Sequence, residues 1–463
     1  MKPVLLVDFG STYTKVTAVD VEGEALLGTA QAYTTVQTDV NEGLQQALSR
    51  LFEQTGPLDF AETYACSSAA GGLRMVSSGL VPELTTEAAR MACLGAGAKL
   101  VGVYSYELTE DDAADIAALK PDIFLLVGGT DGGNKACILN NARMLATIPP
   151  EFPVIIAGNR TAARECERIL SGWNTIVCAN VMPKFGTLKI DEVQSKIREI
   201  FLGRIVEAKG LTQATALMNG IVMPTPAAVL QAMTLLADGC PGENGIGELI
   251  GVDVGGATTD VYSVADGSPQ MVNTVYKGLP EPRAKRTVEG DIGMRYSIHG
   301  IVEAGTLTRA AQLSGLSEDR VRELVDFLSE NTETLPGDDE ELLSLDKALA
   351  SLAVETAVAR HAGTMEETYT MMGQTFIQSG KDLRSVRQVI VTGGSLIRTR
   401  ETGAIAAHSL YDPAHPESLR PEKAIIRVDR RYILASMGLL SLHYPKVALR
   451  IMKKELEENG YSE

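Results

Sequence analysis

One short pattern occurs twice in this chain, and the repetition narrows the folds open to it more than any other feature. Leu5–Asp20 reads LLVDFGSTYTKVTAVD, and 245 positions further on Gly251–Val264 reads GVDVGGATTDVYSV. Asp8 falls on Asp253, Gly10 on Gly255, Thr14 on Thr259, Val16 on Val261 and Val19 on Val264. Each copy is an apolar run, Asp-x-Gly, small or hydroxylated residues, and then an alternating β-branched stretch. That is the pattern of a β-hairpin with a polar turn. Two such hairpins so far apart predict two lobes of similar architecture with a cleft between them. The alternative is a chance likeness of two glycine-containing turns.

The turn chemistry suits a nucleotide. Glycine lets the main chain approach a ligand closely, and successive N–H groups in a tight turn form an anion-holding concavity. Gly10, Gly255 and Gly256 allow that approach, while Ser11, Thr12, Thr14, Thr258 and Thr259 offer hydroxyl donors and Lys15 a point cation. Phosphate-borne Mg²⁺ keeps waters and takes one or two carboxylates, which Asp8 and Asp253 at the strand ends can supply. Two facing turns of this kind could hold the β- and γ-phosphates from both sides. A third glycine site follows a buried-strand pattern in RQVIVTGGSLIRT (Arg387–Thr399). There Gly393, Gly394, Ser395 and Arg398 suit a base and ribose lying against the main chain. Downstream, YILASMGLLSL places Ala435, Ser436 and Gly438 at helical spacing, which predicts a close helix crossing.

Bulk properties remove other classes. The chain has 463 residues, 45% apolar and 22% charged, enough for two to four domains with a core each. A net charge of −17 with no Lys/Arg run argues against general binding to nucleic acid or an anionic membrane. No apolar stretch of about 18 residues runs uninterrupted, so no membrane span is expected. MKPVLLVDFG is too short, and reaches Asp8 too soon, to read as a signal peptide. The six cysteines show no CxxC spacing, and the first of five histidines, His299, comes after all of them. Zinc is therefore not expected, and a reducing, cytoplasmic setting is.

From Gly71 to Asn180 the pattern alternates helix and buried strand, which predicts a parallel, doubly wound sheet. The expected organisation is a first lobe over 1–70 and 181–236, an inserted α/β domain over 71–180, and a second lobe over 237–463. The GGTDGGN loop, Gly128–Asn134, sits where such sheets bind ligands but lacks the GxGxxG fingerprint of a dinucleotide site. It reads either as a structural βα turn or as a contact to a partner or small ligand. DEVQSKIREIFLGRIVEAKGL reads as an amphipathic helix returning to the first lobe, and YPKVALRIMKKELEENGYSE as a surface helix that frays.

This ordered motif set resembles the actin/sugar-kinase/heat-shock-chaperone ATPase superfamily. Asp8–Lys15 is similar to its first phosphate motif, Asp253–Asp260 to its second and Val391–Arg398 to its adenosine motif. MPTPAAVLQAM (Met223–Met233) is similar to the first connecting helix, and Ala435–Gly438 to the second. The resemblance implies an α/β fold of two ribonuclease-H-like lobes binding ATP and Mg²⁺ in the cleft, with Asp8, Asp253 and Asp260 as the catalytic carboxylates. One position departs from it. In the chaperone branch a glutamate precedes the Pro-Thr of the first connecting motif, and here Met223 stands there. Methionine cannot accept a proton, so a slow, partner-stimulated ATPase is expected, or one served by another carboxylate. The candidates are Asp260, Glu289 and Asp291, although the segment holding the last two also reads as a solvated loop.

A narrower resemblance spans essentially the whole chain. DFGSTYTK, LLVGGTDGGN (Leu125–Asn134), GVDVGGATTD and KRTVEGDIGMR (Lys285–Arg295) together look like the glutamate mutase (methylaspartate mutase) accessory family, GlmL/MutL. The resemblance implies an ATP-dependent reactivating factor that opens an adenosylcobalamin-dependent mutase and lets damaged cobalamin out. Its partners would then be mutase subunits. No histidine precedes His299, so the D-x-H-x-x-G motif of a histidine-ligating cobalamin carrier is absent. A small-molecule kinase using Asp260 as base, and a nucleotide-switched actin-like protein, are open alternatives on the same fold.

Overall fold

The computed structural model describes residues 1–10, 13–34, 40–68, 73–207, 221–370, 373–399 and 401–458. The chain groups into two compact units. Met1–Ala232, Gly278–Pro280 and Ala435–Ile451 form the first, and Met233–Lys277, Glu281–Leu434 and Met452–Glu463 the second.

In the first unit β1 (Pro3–Phe9) is buried along its whole length, as a central strand covered on both faces must be. β2 (Tyr13–Asp20) pairs with it antiparallel, and β3 (Ala25–Tyr33) continues that meander. After helix α1 (Val40–Thr55), β4 (Glu62–Ser67) lies parallel to β1 on its other side.

The chain then leaves this sheet and builds another. Strands β5 (Arg74–Gly79), β6 (Lys99–Ser105), β7 (Ile123–Leu126), β8 (Val154–Ile156) and β9 (Thr175–Val177) alternate with helices α2 (Glu87–Gly95), α3 (Glu110–Leu119), α4 (Ala136–Leu145) and α5 (Ala163–Ile169). All pair parallel in the order β6-β5-β7-β8-β9. Numbered within the insert this is 2-1-3-4-5, a doubly wound sheet whose winding reverses between β5 and β7. Its helices start where the sequence supplies caps: Thr109 and Asp112 exchange side-chain-to-backbone hydrogen bonds of 3.2 and 2.8 Å at the head of α3. Helix α6 (Asp191–Glu207) and β10 (Ile221–Pro224) return to the first sheet, whose order is β10-β4-β1-β2-β3. Helix α7 (Thr225–Asp238) carries the chain onward.

The second unit begins with the short pair β11 (Gly239–Cys240) and β12 (Glu243–Asn244). It then repeats the first sheet's plan. β13 (Leu249–Val254) and β14 (Thr259–Val264) form the hairpin, and after β15 (Thr274–Lys277), β16 (Ala284–Glu289) joins β14 antiparallel. Helices α8 (Ile298–Gly305), α9 (Leu307–Ser314), α10 (Glu318–Glu330) and α11 (Glu340–His361) follow. β17 (Thr364–Thr370) and β18 (Gly373–Ser379) pair with β15 as a separate three-stranded sheet, β15-β18-β17. β19 (Gln388–Thr392) and β20 (Ile425–Val428) then add in parallel beside β13.

Five consecutive strands of the second main sheet therefore run β16-β14-β13-β19-β20, the same order and directions as β3-β2-β1-β4-β10. Each unit thus carries the ribonuclease-H-like sheet of an actin-like ATPase lobe, with the doubly wound domain inserted in the first.

Two features differ from the sequence reading. Helix α12 (Gly394–Ile397) precedes α13 (Leu434–Ser441) and α14 (Pro445–Glu455), and residues 435–451 group with the first unit. A Cβ on Gly438 would lie 1.9 Å from the Ala228 carbonyl oxygen, so only glycine allows α13 to cross α7 that closely. As far as Glu458 the tail does not fray after α14, and its last five residues lie outside the described ones. Ala448, Leu449, Ile451 and Met452 are buried, and β21 (Glu457–Glu458) pairs antiparallel with β20.

One buried polar group stands out behind β14. Lys381 is 1% exposed and donates to the carbonyls of Ala265 (2.8 Å) and Arg283 (2.6 Å) and to Ser263 Oγ (3.4 Å).

Candidate functional site

The two Asp–Gly turns share more than sequence. Gly10 N donates to Tyr13 O at 3.1 Å, and at the corresponding positions Gly255 N donates to Thr258 O at 2.9 Å. Asp8 lies opposite Lys15 across β1 and β2, and Asp253 opposite Asp260 across β13 and β14. In each sheet the aspartate also has a parallel neighbour, Cys66 for Asp8 and Thr392 for Asp253. The sequence repeat is thus a repeat of register and of turn hydrogen bonding.

At the first turn Asp8 is nearly buried. Its Oδ1 accepts from Thr225 Oγ1 at 2.5 Å and from Cys66 Sγ at 3.5 Å, and Lys15 Nζ is 3.8 Å from its Oδ2. Three elements, β2, β4 and the head of α7, therefore converge on this one carboxylate. Burial and the neighbouring Asp8 charge push the Cys66 thiol pKa well up, so it is a neutral donor. Ser11 and Thr12 lie outside the described residues.

At the second turn Asp253 is half-buried beside the loop that follows β19. Gly393, at φ 99°, could not carry a side chain: its Cβ would sit 2.4 Å from Val254 O and 2.8 Å from Asp253 Oδ1. Glycine here lets the third sequence site lie directly against the second. Gly394 opens outward with nothing within 4 Å of a Cβ position, Ser395 is half-buried, and Arg398 is exposed at the end of α12. Gly256 is exposed, and only the Tyr296 ring comes within 4 Å of its Cβ position.

The remaining carboxylates are held. Asp260 Oδ1 takes both Arg286 Nε (2.8 Å) and Nη2 (2.6 Å), while Oδ2 lies 3.4 Å from Thr258 Oγ1. Arg286 is itself buried on β16, so the second turn draws its cation from the next strand, where the first turn has Lys15. Glu289 and Asp291 both bind Arg360 of α11, at 2.7 and 3.1 Å. Their segment is not a detached loop. Met294 N donates to Gly255 O, Arg295 N and Tyr296 N donate to Gly256 O, and a Cβ on Gly293 would collide with Ala257 at 2.3 Å.

Two expected phosphate donors point elsewhere. Thr14 and Thr259 are fully buried, Thr14 Oγ1 lying 3.1 Å from Thr34 Oγ1 and Thr259 Oγ1 donating to Ile292 O at 3.0 Å. Strand alternation explains this: Thr14 shares a face with Val16, and Thr259 with Val261, and those faces are core.

Sequence reasoning missed Thr225, Arg286 and Asp429. Asp429 follows β20 nearly buried, accepts from Ile433 N (2.8 Å) and Leu434 N (3.2 Å) at the head of α13, and takes Thr392 Oγ1 at 3.4 Å. Thr225 stood in the quoted Pro-Thr motif and Arg286 in the quoted KRTVEGDIGMR segment; Asp429 had no local signal.

Among the described residues no group of three or more Asp, Glu, His or Cys could hold a metal. The donors available for Mg²⁺ are single hard carboxylates beside glycine turns, which suits an ion that arrives on phosphates and keeps its waters. No described helix is long and apolar enough to cross a membrane.

A model of the MutL protein family matches residues 4–456. Protein MutL of Clostridium tetanomorphum is 47% identical over 461 residues, which covers 98% of this chain and 99% of that protein. Solved structures also align over most of the chain. The activator of 2-hydroxyisocaproyl-CoA dehydratase from Clostridium difficile with bound ADPNP is 10% identical, with 98% of each chain covered and a TM-score of 0.34. A diol dehydratase-reactivating factor in nucleotide-free form is 12% identical, covering 96% of this chain and 100% of its own, at a TM-score of 0.34. At overlaps of this size the fold rests on the strand orders described above.

Proposed function

The chain belongs to the MutL protein family, and from that premise we propose that it is an ATP-dependent reactivating factor for an adenosylcobalamin-dependent mutase such as glutamate mutase. In this reading it hydrolyses ATP slowly, with stimulation by the mutase, and uses the cycle to release damaged cobalamin. The observation that carries the nucleotide half is the duplicated Asp–Gly turn, with the same register and the same hydrogen bond in both sheets. The mutase half is supported by the resemblance to the glutamate mutase accessory family.

ATP would supply the phosphoanhydride, and Asp8 and Asp253 would hold its Mg²⁺ through waters. Gly10, Gly255 and Gly256 would bring main-chain N–H groups to the phosphates, with Lys15 and Thr258 beside them. Gly393 and Gly394 would leave room for the ribose and base, with Ser395 and Arg398 at the rim. Thr225 keeps Asp8 oriented and Arg286 keeps Asp260 oriented, so neither carboxylate has to reorganise as charge develops. Met223 is buried beside Cys66 and cannot take a proton, which fits slow unassisted hydrolysis.

The test is reactivation. A mutase loaded with hydroxocobalamin is incubated with the chain, MgATP and fresh adenosylcobalamin, and its turnover is measured. Recovery with the wild-type chain and none with Asp253→Ala is expected. Recovery that persists without ATP, or with the variant, would sink the mechanism.

A further inference from the structure

Between β16 and α8 the chain closes over the second Asp–Gly turn. Gly293 packs on Ala257 so tightly that a Cβ would sit 2.3 Å from the alanine's carbonyl carbon. The next three residues each donate a main-chain N–H to the turn. Met294 reaches Gly255 O at 3.0 Å, and Arg295 and Tyr296 both reach Gly256 O at 2.9 Å. Arg295 fixes this geometry from behind. It is buried, and its guanidinium makes a two-pronged ion pair with Asp346 of α11 (3.0 and 2.8 Å) while donating to Met294 O (2.6 Å) and Thr334 O (3.2 Å). A connection that had only to reach α8 would need none of these ties.

What these ties present is one aromatic side chain. Residues 292–295 are buried and so is Ile298, whereas Tyr296 between them is 62% exposed. Its ring lies along Gly256, with Cδ2 and Cε2 at 3.8 and 3.9 Å from the position of a Cβ on that glycine. Its hydroxyl has no hydrogen-bond partner among the described residues. Tyr296 is thus held at its main chain and open at its phenol end, beside the exposed face of the turn at Gly256 and Ala257. The groups the turn offers on that face are donors: main-chain N–H groups and the Thr258 hydroxyl. A concavity of donors takes an anion with several acceptor oxygens, and a phenol O–H at its rim is one donor more.

We propose that Tyr296 is a further nucleotide contact, its hydroxyl donating to a phosphate oxygen of ATP bound at the second turn, with Arg295 as the positioning residue that holds it there. The proposal rests on the reading of the duplicated turns as an ATP site, and adds to that site a side-chain donor from outside both turns. The experiment measures equilibrium binding of ATP and of adenosine, each with Mg²⁺, to the purified full chain. It compares wild type with Tyr296→Phe, which keeps the ring and removes only the hydroxyl, and with Tyr296→Ala; unchanged melting checks that each variant is folded. ATP binding weakened at least about ten-fold in both variants, with adenosine binding within about two-fold of wild type, supports the contact. ATP binding by Tyr296→Phe within about two-fold of wild type overturns it, whatever Tyr296→Ala does, and leaves the nucleotide reading intact. Equal losses for ATP and adenosine also overturn it, because the hydroxyl would then serve the sugar or the base. No ATP binding by wild type overturns both the contact and the nucleotide reading.

Discussion

Replacing Lys381 by methionine probes the electrostatics of the second unit through pH. The Lys381 ammonium is almost wholly enclosed, with three acceptors around it. Burial strips its hydration, Glu281 offsets part of that loss, and Lys285 and Arg283 add to it, so its pKa falls from 10.5 to about 7. A base whose folded pKa lies below its unfolded one binds fewer protons when folded between those two values. Its contribution to stability therefore rises with pH across that window and is flat below it. Between pH 7 and pH 9 the gain works out at roughly 2 kcal/mol. Five thiols pull the other way: burial raises the pKa of Cys66, Cys93, Cys137, Cys166 and Cys178, so their contribution falls as pH climbs through the ordinary thiol range. Those thiols are common to wild type and variant and cancel in the difference. Urea unfolding of both proteins at pH 7, 8 and 9 is the assay. The stability difference should shift toward wild type by roughly 2 kcal/mol across that range. A difference constant to within about 0.5 kcal/mol would refute the reasoning, because Lys381 would then keep an ordinary pKa despite its burial.

Other substitutions test particular contacts. Gly438→Ala places a methyl 1.9 Å from Ala228 O and should cost about 3 kcal/mol in thermal or urea unfolding; an unchanged midpoint would mean that α7 and α13 can move apart. Arg286→Met leaves Asp260 half-buried without its guanidinium and should cost about 3–5 kcal/mol in urea unfolding; an unchanged midpoint would mean that the pair adds nothing to the sheet. Thr225→Val removes the 2.5 Å donor to Asp8 and should lower ATP turnover about ten-fold while leaving the melting temperature nearly unchanged. Turnover equal to wild type would show that Asp8 needs no support from α7.

What could be read in advance was local. The hairpins announced themselves because strand alternation and glycine turns are set by neighbours in sequence, and the insert's doubly wound sheet because each strand–helix step repeats the same pattern. The Gly393 contact with Asp253 was foreshadowed only as a third glycine site. What escaped depends on pairing between distant segments. Arg286 reaches Asp260 because β16 pairs with β14, and Thr225 reaches Asp8 across 217 positions. Thr14 and Thr259 looked like phosphate donors in the string, but strand parity turns them into the core. Likewise the sheet β15-β18-β17 joins segments about a hundred residues apart, and β21 forms only because β20 offers it an edge.

The most direct measurement of the central claim follows cobalamin itself. Mutase loaded with hydroxocobalamin is mixed with this chain and either MgATP or a non-hydrolysable analogue, then separated by gel filtration, and the cobalamin that co-elutes with the mutase is read by absorbance. Loss of bound cobalamin with MgATP, and retention with the analogue or with Asp253→Ala, is the predicted result. Cobalamin that stays on the mutase in the presence of wild-type chain and MgATP would contradict the account.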